Sequence, residues 1–510
     1  MQKPDTLRGR AAQLIFPRLG SNMPPAVSVA EDLERALRLL DEVPVGGMVV
    51  FRGHHASTPP ALQALQRASR TPLLFCSDLE RGAGQQVAGL TVFPHAMAQG
   101  RSGADAVERV AAATACEARS AGIGWLFAPV ADVHSNPVNP IISTRAFGSD
   151  VSECSACVRA FVRGTRAGGG LSTAKHFPGH GDTDTDSHDV LPVVSKTREE
   201  LEAVELAPFR AAIDAGVDAI MTAHVSYPAL DPSGTAATFS EPILRGVLRE
   251  ELGFQGVIVS DSLLMGGAGA AVSARAAEIV RAGVDVLLDI SDPDIALSAL
   301  VRAVADGSLD ERLVQEAFER VWTLKQTLID RPAPVPADPG QLARRIARAA
   351  ISVEGDVAGV LAGHGPIPLA VIRPHTDYPD PTRADAEALL AGHGFEVSRF
   401  GPDATADEYR AFSDAAAQAG RAVVAMIVKP AAWHAFGLLP HQAAFIRELT
   451  VPCVRACLGS PDADRELPRP AARLVALSDV PVSVQAVADL LHGAGPGPAP
   501  NQPSRAAADE

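Results

Sequence analysis

From residue 45 to residue 330 the chain alternates short apolar runs with longer stretches of helical period. That alternation admits little besides parallel strands joined by crossover helices. The candidate strands are 47–51, 72–77, 125–130, 171–175, 218–222, 257–260 and 284–289, and most carry no polar alternation, as strands covered on both faces require. Helix-like segments lie between them, and several run into a glycine stop before the next strand, as in Ala215-Gly216-Val217 and Leu252-Gly253-Phe254. Seven or eight such units in about 300 residues fit a closed (β/α)8 barrel better than an open doubly wound sheet. The polar residues agree with this. Asp78, Asp132, Lys175, His176, His224 and Asp261 each fall within a few residues of the C-terminal end of a candidate strand, where barrels assemble their sites.

The expected architecture is α/β, a TIM-like barrel over residues 1–330 followed by a smaller α/β sandwich domain over 345–493. Residues 331–344 open with Arg331-Pro-Ala-Pro-Val-Pro and read as a stiff proline-rich linker. Residues 494–510 read as a disordered tail. The second domain has neither GxxxxGK[ST] nor a GxGxxG placed between strand and helix, so its sequence offers no phosphate-binding loop.

Composition narrows the class. Of 510 residues, 47% are apolar and 21% charged, the mixture of a globular protein rather than a disordered, collagenous or membrane one. The net charge of −15 repels phosphate backbones and anionic lipid, so neither nucleic acid nor a membrane surface is an expected partner. The first 25 residues lack the apolar core of a signal peptide, and no run of 18 apolar residues occurs, which makes the cytoplasm the expected location. Six sparse cysteines, Cys154-x-x-Cys157 among them, read as ordinary thiols.

Chemistry concentrates in Lys175-His-Phe-Pro-Gly-His-Gly-Asp-Thr-Asp-Thr-Asp-Ser-His188, with seven titratable side chains in 14 residues. Pro178, Gly179 and Gly181 prevent a helix, so the segment is an irregular loop at the barrel mouth. Calcium binding fails, because an EF-hand loop starting at Asp182 would need glycine at Ser187 and a bidentate glutamate at Val193. A metal site on His176, His180 and His188 or an aspartate would need the first pair on one helix face, which Pro178-Gly179 forbids.

Glycoside cleavage needs a proton donor for the leaving oxygen and a carboxylate across the sugar ring. A histidine can donate when a neighbouring aspartate fixes its tautomer, and Asp186-Ser-His188 offers that pair. Asp261, at the end of an apolar strand, offers the carboxylate, although an aspartate there can also cap the following helix.

The loop matches every fixed position of Lys-His-Phe-Pro-Gly-His-Gly-Asp-Thr-x-x-Asp-Ser-His, and on it the chain resembles the β-N-acetylglucosaminidase branch of glycoside hydrolase family 3. Arg145-x-Phe-Gly, Met221-Thr-Ala-His-Val225 and Val259-Ser-Asp261 extend the likeness over residues 10–330. The resemblance implies a retaining mechanism with Asp261 as nucleophile and His188 as acid and base, polarised by Asp186, with no metal or organic cofactor. Lys175, His176, Arg145 and Asp78 would hold an N-acetylglucosamine. The implied substrate is a small glycoside or a muropeptide from peptidoglycan recycling, with phosphorolysis or a broader glucosidase activity as alternatives on the same residues. Two positions depart from the branch: Gln86 stands where an arginine contacts substrate, and Ser262 follows the nucleophile position where aspartate is usual.

Overall fold

The computed structural model describes residues 3–183, 191–268, 271–332, 338–376, 385–430 and 436–493. The chain divides at Pro339 and Gly340 into two compact units.

In the first unit strand pairing runs in a ring and every pair is parallel. Arg18–Leu19 pairs with Gly47–Val50, which pairs with Leu74–Ser77, which pairs with Trp125–Leu126. Bridges Trp125 to Leu171 and Val130 to Lys175 carry the ladder to Thr173–Phe177, followed by Ala219–Thr222 and Val257–Val259. Val259 bridges Val286, and the adjoining Leu287–Leu288 pairs in register with Ile15–Phe16. The ring is therefore a closed barrel, the architecture expected from the sequence.

One barrel strand is absent from the sequence reading, the first. Pro17 splits it into Ile15–Phe16 and Arg18–Leu19 and lowers its strand signal, because proline has no N–H to donate. The ladder survives because Pro17 contributes only its carbonyl, which accepts Val49 N–H at 3.0 Å.

The interior is filled by aromatic rings near the first and fourth strand positions. Trp125, fully buried, meets Phe16 edge-on at 5.7 Å and Phe127 at 5.2 Å, and its Nε1 donates to Thr173 Oγ1 at 2.7 Å. Room for Phe16 exists because position 47 is glycine: a Cβ there would lie 2.3 Å from the Phe16 ring and 2.0 Å from Leu74 O. Outside the ring, Ala104–Ser120 packs against Val151–Ala167. Their close approach needs Gly164, where a Cβ would fall 2.1 Å from Glu108 O. Cys154 and Cys157 lie on that second helix, and burial pushes their thiols up to about 12 and about 11, so both stay protonated.

The second unit is a six-stranded sheet in the order Ser352–Gly355, Ala472–Val475, Cys453–Cys457, Ala422–Met426, Ile367–Ile372, Phe395–Phe400. All neighbours are parallel except the first pair, an antiparallel edge. Four of these strands follow from the apolar runs in the sequence; Ser352–Gly355, mostly exposed, and Ala472–Val475 do not stand out there. The helix Pro339–Ala350 begins inside the segment read as linker, and Arg331 is bound to the barrel through Asp218 and Gly170 O. Residues 333–337 of the segment 331–344 lie outside the described residues. The tail 494–510 lies outside the described residues. Among the described residues no helix is long and apolar enough to cross a membrane.

Truncating Trp125 to alanine removes the largest interior side chain and leaves Thr173 without its donor. A loss of about 3–5 kcal/mol in chemical unfolding followed by circular dichroism is expected.

Candidate active site

Polar residues stand at or within a few positions of the C-terminal ends of several barrel strands, Asp78, Lys175, His224, Asp261 and Asp289 among them. Asp78 and Glu80 follow Leu74–Ser77, with buried Leu79 between them, so the two carboxylates leave the strand end on the same side. Lys175, inside Thr173–Phe177, reaches both: its Nζ lies 2.6 Å from Asp78 Oδ1 and 2.8 Å from Glu80 Oε1. Arg145, at the end of the turn Ser143–Arg145, binds Glu80 in a fork, Nε at 3.0 Å and Nη2 at 2.8 Å.

Two cations therefore face two anions in a setting where the Lys175 side chain is 2% exposed. Burial would push the Glu80 carboxyl up, but Arg145 and Lys175 outweigh it and hold the group well below the ordinary range. Burial likewise acts to lower Lys175, and Asp78 and Glu80 overcome it, so the ammonium keeps its charge.

Asp132, 1% exposed, organises the start of the chemistry-bearing loop. His176 Nδ1 lies 2.7 Å from Asp132 Oδ2, and the backbone N–H groups of His176 and His180 donate to the same carboxylate. The opposite ring nitrogen of His176 is 3.4 Å from Arg145 Nη2, which joins the two networks. His180 is a structural residue: burial first, and then the charge of His176, lower its pKa to about 4, and its Nδ1 pairs with Thr183 Oγ1 at 2.8 Å.

Asn139 ties the same loop to its neighbour. Its Nδ2 donates to His180 O, Gly181 O and Thr183 Oγ1, while its Oδ1 accepts from Ile141 N and Ile142 N, just before Arg145. Gly181 runs so close to Val133 that a Cβ would fall 1.7 Å from its carbonyl oxygen. Asp186 and His188 lie outside the described residues, whose two flanking positions are Thr183 and Leu191.

Across the rim, Asp261 follows Val257–Val259 and is half-buried. It is not a helix cap: its Oδ1 accepts Ser262 N–H at 2.7 Å, and the next helical turn, Gly266–Ala268, begins five residues on. Burial would raise the Asp261 carboxyl. The charges of His176 and His224, the Ser262 N–H and Lys175 together reverse that and hold it below the ordinary aspartate value. The groups that act on Asp261 thus come from its own turn, from the adjacent strand through His224, and from the strand bearing Lys175 and His176.

The residues singled out in the sequence, Asp78, Arg145, Lys175, His176 and Asp261, belong to one mouth. Sequence reasoning passed over the charge partner Glu80 and the organiser Asn139. Glu80 was legible as a second carboxylate two positions after Asp78, and Asn139 had no signal beyond its type. No group of three or more histidines, cysteines or carboxylates among the described residues is arranged to hold a metal ion. Glu80→Gln would leave Arg145 and Lys175 short of an anion and is expected to cost about 3–5 kcal/mol at neutral pH. The stability conferred by a depressed carboxyl is complete above its unfolded pKa and is lost as pH falls toward the folded value. The gap between wild type and variant should therefore narrow in unfolding experiments below about pH 4.

Comparison with known proteins places this mouth in context. The chain is 32% identical over 340 residues to a β-N-acetylglucosaminidase/β-glucosidase of Cellulomonas fimi, a match covering 62% of this chain and 60% of that protein. It is 38% identical over 264 residues to a β-hexosaminidase of Methylococcus capsulatus, covering 50% of this chain and 78% of that one. The solved structure of a family 3 β-N-acetylglucosaminidase from Paenibacillus superposes with a TM-score of 0.84 at 31% identity, covering 96% of this chain and 97% of that one. A β-glucoside phosphorylase shares the fold at 21% identity, with a TM-score of 0.79. Residues 6–324 match the glycosyl hydrolase family 3 N-terminal domain, and with the closed parallel barrel and its charged rim this establishes that the chain belongs to glycosyl hydrolase family 3.

Proposed function

We propose that the chain is a retaining exo-β-N-acetylglucosaminidase. The observation that carries the reading is an aspartate kept ionised at the barrel mouth, opposite a hydrogen-bonding cluster of Asp78, Lys175, Arg145 and His176. In this reading the cluster holds the terminal sugar. Asp78 accepts from ring hydroxyls, and Lys175 and Arg145 donate to oxygens, while the pairing of these charges within the cluster keeps them fixed before substrate arrives.

Asp261 then attacks the anomeric carbon as the glycosidic bond breaks, and its carboxylate oxygen becomes the ester oxygen of a glycosyl-enzyme. His188 gives its proton to the departing oxygen, with Asp186 holding the other ring nitrogen. In the second step His188 takes a proton from water, whose oxygen displaces Asp261 and restores the carboxylate. The roles of Asp186 and His188 rest on the sequence motif.

Peptidoglycan recycling is the biological setting we propose, with a small glycoside or a muropeptide as substrate but no built-in preference for muramic acid. Gln86 bears on the leaving group. It is buried, and its Oε1 accepts Asn22 Nδ2 at 2.9 Å, so a neutral amide pair stands where the branch has an arginine. That chemistry suits an uncharged leaving group better than an acidic one.

Release of 4-nitrophenol from the aryl N-acetyl-β-glucosaminide is expected, at a rate that exhaustive chelation leaves unchanged. His188→Ala should lower turnover roughly 10²- to 10⁴-fold and Asp261→Ala should abolish it. Wild-type rates in Asp261→Ala would overturn the proposal. Running the same assay with and without phosphate identifies the acceptor, since phosphorolysis yields a sugar 1-phosphate and hydrolysis the free sugar.

A further inference from the structure

The last barrel strand ends in a buried ion pair that the sugar-binding cluster does not use. Asp289, 2% exposed, follows Leu287–Leu288 with a φ of 55°, a left-handed conformation that few side chains adopt. Its backbone N–H is tied to Phe16 O on the first strand at 2.8 Å. Arg18, on that same first strand, donates Nε to Asp289 Oδ1 at 2.9 Å and Nη2 to Oδ2 at 2.5 Å. The guanidinium is itself fixed, stacked 5.0 Å from the Phe51 ring centre with Nη1 donating to Ser21 Oγ.

Asp289 Oδ2 also accepts Ser262 Oγ at 2.7 Å. Ser262 is thereby held at every polar group it has. Its N–H donates to Asp261 Oδ1 at 2.7 Å, its carbonyl oxygen accepts from His224 Nε2 at 3.0 Å, and its hydroxyl donates to Asp289. The next residue is anchored as well, Leu263 N–H donating to Leu288 O at 3.0 Å. A serine in the turn after a strand is ordinarily solvated; here three different strand ends converge on it.

We infer that Asp289, braced by Arg18, is a positioning residue for the nucleophile: through Ser262 it fixes the Asp261 carboxylate so that Oδ1 stays bound to the backbone and Oδ2 faces the anomeric carbon. The inference rests on the reading of Asp261 as nucleophile. Its physical basis is that a carboxylate on a short side chain retains rotation about two bonds, and the N–H of the following residue holds one oxygen only while that peptide is itself immobile. Asp289 also offsets the charge of Arg18, which would otherwise act on the nucleophile unopposed, in addition to His176, His224 and Lys175.

A purely structural ion pair closing the barrel seam would affect stability alone, so the test reads catalysis. Ser262→Ala removes the hydroxyl and leaves the Arg18–Asp289 pair intact. It should lower kcat about 10- to 100-fold with KM little changed and the thermal midpoint preserved, and Ser262→Thr, which keeps the hydroxyl, should recover most of the loss. Asp289→Asn leaves Arg18 uncompensated and should move the acid limb of kcat/KM downward by about half a pH unit to one unit. Wild-type kcat in Ser262→Ala, or an unmoved acid limb in Asp289→Asn, overturns the inference. Asp261→Ala in the same assays separates the two levels: if it remains active the nucleophile assignment fails, and if it is inactive while the Ser262 and Asp289 variants behave as wild type, only the positioning role fails.

Discussion

Everything at the barrel mouth depends on closure of the ring by the pairing of Ile15 with Leu287 and Phe16 with Leu288. Until that pair forms, the first and last strands are open edges with unpaired N–H and C=O groups. Once it forms, Arg18 and Asp289 are neighbours, and the rim carrying Asp261 is fixed relative to the rim carrying Asp78 and Lys175. Contacts between the two ends of the barrel sequence are the costliest in chain entropy, and they position the candidate nucleophile. Closure is thus both a folding requirement and the condition for the site.

The rim then faces an electrostatic problem: it buries charges that water would hold more cheaply. The solution is local neutrality. Asp78 and Glu80 balance Lys175 and Arg145, Asp289 balances Arg18, and Asp132 takes three N–H donors from one short segment. Removing any single partner leaves a buried charge without its counterpart, which costs more than the pair contributes when intact. Such clusters are weak arguments for stability. They are strong arguments for geometry, because each fork and each short bond admits one arrangement of the side chains.

How much of this was legible in the sequence follows the same division. The barrel showed in apolar runs separated by helical periods, since burial on both faces writes itself into consecutive residues such as 257–260. The first strand did not show because Pro17 masks it, and Ser352–Gly355 did not because an exposed antiparallel edge carries little apolar signal. Asp78, Lys175, His176 and Asp261 were visible because each lies within a few residues of the C-terminal end of an apolar strand. Asn139 and Asp289 were not singled out, because their significance lies in partners 41 and 271 positions away, which no local pattern encodes, and Glu80, although it stands two positions after Asp78, has its fork partner Arg145 65 positions away. Only the folded ring reveals those pairings.

Local neutrality also explains why the chain's charge of −15 says so little about its chemistry. Long-range fields are screened within about 8–10 Å at ordinary ionic strength, and an uncharged sugar would not feel them in any case. What distinguishes Asp261 is its immediate surroundings: burial pushes its carboxyl up, and the nearby histidines, lysine and backbone N–H pull it down further. A carboxylate whose ionisation is set by four neighbours is sensitive to their placement. In this chain the placement of one of them, the Ser262 N–H, is governed by a hydroxyl bound to Asp289 at the end of the last strand. The charge state of the candidate nucleophile and the closure of the ring are therefore two consequences of the same set of contacts.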